Sequence, residues 1–131
     1  MSISEYKILK NRSLEFLKYA EIQLNDGHYA LSCFSSEQAV QLYLKSKILK
    51  ISGEIPRTHS IRELLGILAK LTSREEDVNE FIKKKRAEIR MMESAYIESR
   101  YIPKEFEEDD ARLLFSLAKE VIKFVDSISP D

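Results

Sequence analysis

A chain of 131 residues with 44% apolar residues can bury one compact core, so the sequence predicts a single domain over residues 1–131. Its 21 basic and 22 acidic residues leave a formal net charge of −1, which excludes an overall electrostatic attraction to DNA or RNA. One cysteine, Cys33, excludes an internal disulfide, and no apolar run approaches the roughly 18 to 20 residues of a membrane span. We therefore expect a cytoplasmic protein that contacts no membrane.

Strongly periodic segments separated by few chain breakers predict an all-α protein. Only three glycines and three prolines occur, and they fall between segments with apolar residues at helical spacing. The predicted helices cover residues 4–25, 29–51, 61–71, 73–99 and a last segment that follows the acidic run 105–110. The resulting architecture is an up-and-down antiparallel bundle of four long helices plus one short helix.

Helix starts are indicated by serines that precede a glutamate by three residues, which is the spacing of a capping box. The pairs are Ser2 with Glu5, Ser60 with Glu63, and Ser73 with Glu76. The acidic run at 105–110 likewise suits the start of the last helix, because the helix dipole presents partial positive charge there.

The second predicted helix is apolar on most sides, which is typical of a helix inside a bundle. A polar belt interrupts it, formed by Ser35, Ser36, Glu37, Gln38 and Gln41. Buried polar side chains need hydrogen-bond partners. Three arrangements would satisfy the belt: polar groups of another helix, a second subunit, or a cleft that holds a ligand.

The fourth predicted helix ends with an arginine between Tyr96 and Tyr101, and Pro103 then stops the helix. Arg100 lies four residues after Tyr96 and so continues the apolar stripe that faces the core. A buried arginine needs a partner, and Glu37 of the polar belt is one candidate. In the alternative, the stem of Arg100 packs against the protein and its guanidinium reaches water.

The polar belt and this arginine form the best candidate site, because arginine offers a bidentate fork for phosphate and tyrosine can stack on a base. Other chemical motifs are scarce: there is no glycine-rich phosphate loop and no CxxC, HExxH or GxSxG pattern. His28 and His59 are not at metal-ligand spacing, so we expect no metal and no cofactor. His59 is interpreted as a loop residue before the third helix. The basic cluster Lys83–Arg86, with Arg90 one turn later, is interpreted as a solvated face.

Four segments in order carry a family resemblance: Gly27–Ala30 with Cys33–Gln41, Thr58–Ile61 with Leu64 and Leu65, Tyr96–Tyr101, and the helix from Ala111 to Val125. They resemble the signatures of the HEPN domain (higher eukaryotes and prokaryotes nucleotide-binding) and cover nearly the whole chain. The resemblance implies an all-α up-and-down bundle that forms a homodimer. It also implies a minimal nucleotidyltransferase as partner, in a pair similar to a toxin–antitoxin module.

RNase members of the family are metal-independent and carry an arginine followed four to six residues later by a histidine. This chain departs from that pattern, because no histidine follows Arg100. The second helix also departs, with Gln38-Ala39-Val40-Gln41-Leu42 where relatives often have Gln-Ala-x-Glu-Lys. The usual acid–base pair is therefore missing at the expected place.

We therefore expect a HEPN-like module that binds a nucleotide, RNA or a protein partner, without an intact RNase motif. The expected ligand-binding residues are Glu37, Gln38, Gln41, Tyr96, Arg100 and Tyr101. One alternative is a metal-independent RNase that uses Arg100 with Tyr101 or His28 in place of the missing histidine. The other is a purely structural dimeric domain, in which the polar belt serves only the interface between subunits.

Overall fold

The computed structural model describes residues 3–130, with side chains from Glu5 to Pro130. Six helices follow one another in that range: α1 (Ile3–Asn25), α2 (Tyr29–Ser52), α3 (Ile61–Thr72), α4 (Glu75–Lys84), α5 (Arg86–Tyr101) and α6 (Glu108–Ile128). No strand occurs among these residues, so the predicted all-α class is confirmed. Within the same range, no helix is both long enough and apolar enough to cross a lipid bilayer.

The single long helix predicted over residues 73–99 is wrong, because the structure divides it into α4 and α5. At Lys85 the backbone has φ −107° and ψ 21°, well outside helical values. The two pieces have different neighbours, since α4 packs on α3 whereas α5 packs mainly on α2. Lys85 Nζ also lies 2.7 Å from a carboxylate oxygen of Glu120 on α6. Residues 3–130 therefore form six helices instead of four long ones and one short one.

The helix caps follow the sequence pattern only in part. Ser60 Oγ accepts a hydrogen bond from the backbone N–H of Glu63 at 3.2 Å, which confirms the predicted start of α3. The predicted cap at Ser73 is wrong, because this residue closes α3 in a left-handed conformation with φ 56°. Arg74 then precedes α4 without a side-chain cap. The predicted cap at Ser2 lies outside the described residues.

The acidic run starts α6 as predicted. Glu107 is the N-cap residue, and its side chain accepts a hydrogen bond from the backbone N–H of Asp110. In return, Asp110 Oδ2 accepts one from the backbone N–H of Glu107 at 2.9 Å. These reciprocal bonds satisfy two N–H groups that the first turn of any helix leaves free.

Helix α2 lies at the centre of the fold, in contact with α1, α3, α5 and α6. Apolar side chains from all six helices form one core around it. Buried polar residues of α2 are Ser32, Ser35, Ser36, Glu37, Gln41, Ser46 and Lys47. The prediction that α2 is an interior helix with a polar belt is therefore confirmed, and the belt needs partners within the fold.

Candidate functional site

Arg100 is exposed, so the prediction that it continues the core-facing stripe is wrong. Earlier members of that stripe, Ile89 and Met92, are buried, and Tyr96 is half-buried. The exposure increases along α5 because this helix ends at Tyr101, where the chain leaves the core. The alternative arrangement, with the guanidinium at the surface, describes the structure.

Three aromatic rings surround the Arg100 guanidinium. Its central carbon lies 4.6 Å from the ring centroid of Phe34, 4.7 Å from that of Tyr101 and 4.9 Å from that of Tyr96. A cation within about 6 Å of a ring centroid is attracted by the negative face of the ring. We refer to Arg100 with Phe34, Tyr96 and Tyr101 as the Arg100 cluster.

Hydrogen bonds fix the orientation of the guanidinium within this cluster. Nε and Nη2 of Arg100 donate to the backbone oxygen of Tyr96 at 3.1 Å and 2.6 Å. Nη1 donates to the hydroxyl oxygen of Tyr101 at 3.3 Å. A guanidinium has five N–H donors and three are used in these bonds, so two remain for a ligand. Among the described residues, Arg100 has no carboxylate within the 4.0 Å of an ion pair.

Glu37 is fully buried, and its carboxylate is held by two side-chain amides. Nε2 of Gln38 donates to Oε1 and Nε2 of Gln41 donates to Oε2, both at 2.7 Å. Lys45 Nζ in turn donates to Oε1 of Gln41 at 3.0 Å. The spacing of four residues from Glu37 to Gln41 to Lys45 places these side chains on one side of α2. They form a hydrogen-bonded row that reaches from the core to the half-buried Lys45.

Burial raises the pKa of Glu37 from 4.5 to about 7, because the charged carboxylate loses its hydration. The hydrogen bonds from Gln38 and Gln41, and the positive charges of Arg100 and Lys45, act in the opposite direction. Glu37 and Arg100 therefore influence each other through space, without a direct ion pair in the described part of the chain. Burial likewise lowers the pKa of Lys45, while the negative charge of Glu37 raises it.

Two side-chain hydrogen bonds join α1 to this part of α2, and one of them involves the belt residue Ser35. Ser13 Oγ donates to the backbone oxygen of Ala39 at 2.7 Å, and Ser35 Oγ lies 2.6 Å from the side-chain amide of Gln23. Within the described residues, the buried hydroxyl of Ser36 has no hydrogen-bond partner. Glu37, Gln38 and Gln41 thus bond to one another within α2, and the contact of Ser35 with Gln23 joins the belt to another helix, which is one of the three arrangements that the sequence left open.

The predicted site residues form two adjoining groups. Tyr96, Arg100 and Tyr101 are in direct contact, as described above, whereas Glu37, Gln38 and Gln41 form the separate amide–carboxylate group. Phe34 connects them, because it contacts Arg100 and lies three residues before Glu37 on α2. The structure thus brings α2 and α5 together at the register that the sequence could not determine.

Two residues of this region were missed by the sequence prediction. Phe34 is not among the ligand-binding residues expected from the sequence, yet its ring supports the guanidinium. His59 was interpreted only as a loop residue, yet its ring stacks on Tyr96 with centroids 4.4 Å apart and planes at 14°. Because 37 positions separate His59 from Tyr96, no local pattern could have indicated this contact.

Other reactive groups offer no second site of comparable quality. Cys33 is fully buried, and burial raises the pKa of its thiol to about 12, which disfavours the reactive thiolate. No cluster of metal-ligating side chains occurs in residues 3–130. In the basic cluster, Lys83, Arg86 and Arg90 are exposed.

These features define an all-helical domain whose surface carries an arginine held by aromatic rings. The family model of the HEPN domain matches residues 6–128, nearly the whole chain. The protein therefore belongs to the HEPN domain family, and the resemblance found in the sequence is confirmed.

A solved structure supports the same fold. The crystal structure of TT1696 from Thermus thermophilus superimposes with a TM-score of 0.76 at 25% sequence identity. The match covers 93% of this chain and 96% of that one, so the two chains share their whole architecture. No curated protein matches the sequence.

Proposed function

We propose that this HEPN domain is a nucleotide-binding module in which Arg100 binds a phosphate group. The proposal rests above all on one observation: the guanidinium faces solvent, is held by three rings, and has no carboxylate partner in the described residues. A fixed cation with two free N–H donors suits phosphate, because guanidinium donors match its oxygens in a bidentate way. The carboxylate oxygens of the buried Glu37 accept hydrogen bonds from Gln38 and Gln41 and form no ion pair with Arg100 in the described residues.

Thermal unfolding with and without ATP or GTP tests this function. At a nucleotide concentration tenfold above Kd, binding adds about 1.4 kcal/mol to the free energy of unfolding, which raises Tm by a few degrees. Arg100→Ala should abolish the shift. Arg90→Ala is the matched control, because Arg90 is an exposed arginine of the same helix that lacks the three rings. A wild-type protein whose Tm is unchanged by millimolar nucleotide would refute the proposal.

The proposed partner is a minimal nucleotidyltransferase in a pair of toxin–antitoxin type, as the family resemblance implies. Exposed apolar side chains beside Arg100 support a protein contact there, with Ile97, Tyr101 and Ile102 exposed by 45%, 67% and 49%. Coexpression with the nucleotidyltransferase followed by size-exclusion chromatography should give one complex. Ile97→Lys should separate the two proteins, and coelution of that variant would contradict this contact surface.

We further propose that two copies of the chain associate through α1. Ile8, Tyr19 and Ile22 are exposed by 49%, 51% and 40%, and their spacing places them on one side of the helix. Sedimentation equilibrium should give a dimer for the wild type and a monomer for Ile22→Glu. The control is Ile55→Glu, a change at an isoleucine between α2 and α3 that is exposed by 48%. If the Ile22→Glu variant is still a dimer, this surface of α1 is not the dimer interface.

A second candidate function is metal-independent RNA cleavage. It is favoured by the contact between Nη1 of Arg100 and the hydroxyl of Tyr101, which unites two residues that could act on one phosphate. Unstructured RNA should then be cleaved in EDTA, and Arg100→Ala should abolish the cleavage. Equal activity of Arg100→Ala and wild type would exclude this site.

A further inference from the structure

The ring of His59 forms a flat surface at the edge of the Arg100 cluster. His59 lies in the connection from α2 to α3, and its ring stacks on Tyr96 with centroids 4.4 Å apart and planes at 14°. One face of the imidazole is therefore covered by Tyr96. Because His59 is nevertheless an exposed residue, its other face is open to solvent.

Hydrogen bonds directly after His59 hold the start of α3 against α5. Ser60 Oγ donates to Oε2 of Glu93 at 3.0 Å, and the backbone N–H of Arg62 donates to the same oxygen at 3.0 Å. Nη2 of Arg62 lies 2.9 Å from Oε1 of Glu93. Glu93 precedes Tyr96 by three residues, so the neighbour of His59 is tied to α5 about one turn from the stacked ring. A ligand on His59 would not have to order this loop first.

Tyr96 contacts both His59 and Arg100. The ring of Tyr96 stacks on the imidazole of His59. The backbone oxygen of Tyr96 accepts two hydrogen bonds from the guanidinium of Arg100, whose central carbon also lies 4.9 Å from the centroid of the Tyr96 ring. The imidazole and a phosphate-binding cation therefore contact the same residue, and the open face of the imidazole lies on the side away from Tyr96. A nucleotide is a ligand that combines the two complementary groups, a planar base and a phosphate.

We infer that the open face of His59 is the stacking surface for the base of a nucleotide whose phosphate is bound by Arg100. This inference rests on the proposed nucleotide-binding function and names the residue that distinguishes a nucleotide from a simple phosphate. Stacking uses the π-face that every base has, so the subsite accepts different bases. We expect purine nucleotides to bind more tightly than pyrimidine nucleotides, because the larger and more polarisable purine ring gains more dispersion energy in a stack.

Isothermal titration calorimetry with ATP and with inorganic triphosphate separates the contribution of the base from that of the phosphates. Wild-type protein should bind ATP about tenfold more tightly than triphosphate, which is the usual scale of one stacked base. His59→Ala should bind both ligands with the affinity that the wild type has for triphosphate. His59→Phe should restore the preference for ATP, because phenylalanine keeps an aromatic face at this position.

The outcomes distinguish this inference from the function on which it rests. If His59→Ala keeps the full preference for ATP, the stacking role of His59 is wrong, while binding of both ligands still supports Arg100 as the phosphate site. If the wild type binds triphosphate as tightly as ATP, the base makes no contact and the inference is also wrong. If the wild type binds neither ligand, the proposed function itself fails. Equal melting curves for wild type and both His59 variants would exclude unfolding as the cause of lost binding.

Discussion

Two cations beside tyrosine rings show how differently this fold uses positive charge. Lys47 of α2 is buried, with 1% of its surface exposed. Its Nζ donates a hydrogen bond to the backbone oxygen of Ser129 at 2.8 Å and lies 3.4 Å from a carboxylate oxygen of Asp126. Arg100 of α5 is exposed, contacts three rings, and has no carboxylate partner among the described residues.

The difference separates a structural charge from one that is available to a ligand. A buried cation is tolerated only when nearby groups neutralise it and accept its hydrogen bonds, and Lys47 meets both conditions. Arg100 keeps its charge and two of its N–H donors at the surface. Glu37 is the intermediate case, because it is buried like Lys47 but is held by amides instead of an ion pair.

The largest expected effect on stability is at Lys47. Lys47→Ala should lower the free energy of unfolding by about 3 kcal/mol, because it empties the space of a buried side chain and removes its bonds. Lys47→Met keeps most of the volume and should cost less than about 1.5 kcal/mol. Arg100→Ala should cost about 1 kcal/mol, because contacts of an exposed cation with aromatic rings are weak in water. Urea unfolding measures all three. If Arg100→Ala were as unstable as Lys47→Ala, Arg100 would be a structural residue like Lys47, and the difference between the two cations would not hold.

Glu37 should make stability depend on pH. Its pKa is about 7 in the folded protein and 4.5 ordinarily, so folding favours the protonated form. The resulting stabilisation is fully present below about pH 4.5 and is lost as the pH rises through about 7. This difference between the two pKa values corresponds to a change of roughly 3 kcal/mol in the free energy of unfolding across that pH range. The pH profile of Glu37→Gln should lack this change, because the amide does not titrate.

Urea unfolding of wild type and Glu37→Gln between pH 5 and pH 8 checks this dependence. The free energy of unfolding of the wild type should fall relative to that of the variant as the pH rises. Glu80→Gln, at an exposed position of α4, controls for the loss of one carboxylate. Parallel profiles for wild type and Glu37→Gln would show that Glu37 titrates alike in the folded and unfolded protein.

The smallest expected effects distinguish two buried serines of this region. Ser13→Ala removes the hydrogen bond to the backbone oxygen of Ala39 and should cost about 1 kcal/mol. Ser36→Ala removes a buried hydroxyl that has no partner in the described residues, so it should leave stability unchanged or raise it. Chemical unfolding of the two variants gives the comparison. A loss at Ser36→Ala equal to that at Ser13→Ala would indicate a hydrogen bond at Ser36.

Local patterns predicted the features that depend on neighbouring residues. The all-α class, the interior position of α2 and the cap at Ser60 follow from periodicity and from a three-residue spacing. The break at Lys85 was not predicted, because no glycine or proline marks it and its ion-pair partner Glu120 lies on a distant helix. The cap at Ser73 was wrong because this residue closes the preceding helix instead, a choice that the spacing alone does not reveal.

The candidate site was predicted only as a list of residue types. Sequence spacing identified Glu37 and Arg100 but could not give the register between α2 and α5, which decides whether they form an ion pair. It also missed the contact of Phe34 with Arg100 and of His59 with Tyr96, since each joins distant parts of the chain. These pairings depend on tertiary packing, and no pattern within one helix records them.

The most direct test of the central claim is an NMR titration that follows the side-chain Nε–Hε signals of the arginines while ATP is added. If Arg100 is the phosphate site, its signal should move and saturate with the nucleotide concentration. The signals of Arg90 and of Arg62, which is paired with Glu93, should stay in place. A saturating shift at another arginine with Arg100 unchanged would contradict the account, because the phosphate would then be bound elsewhere.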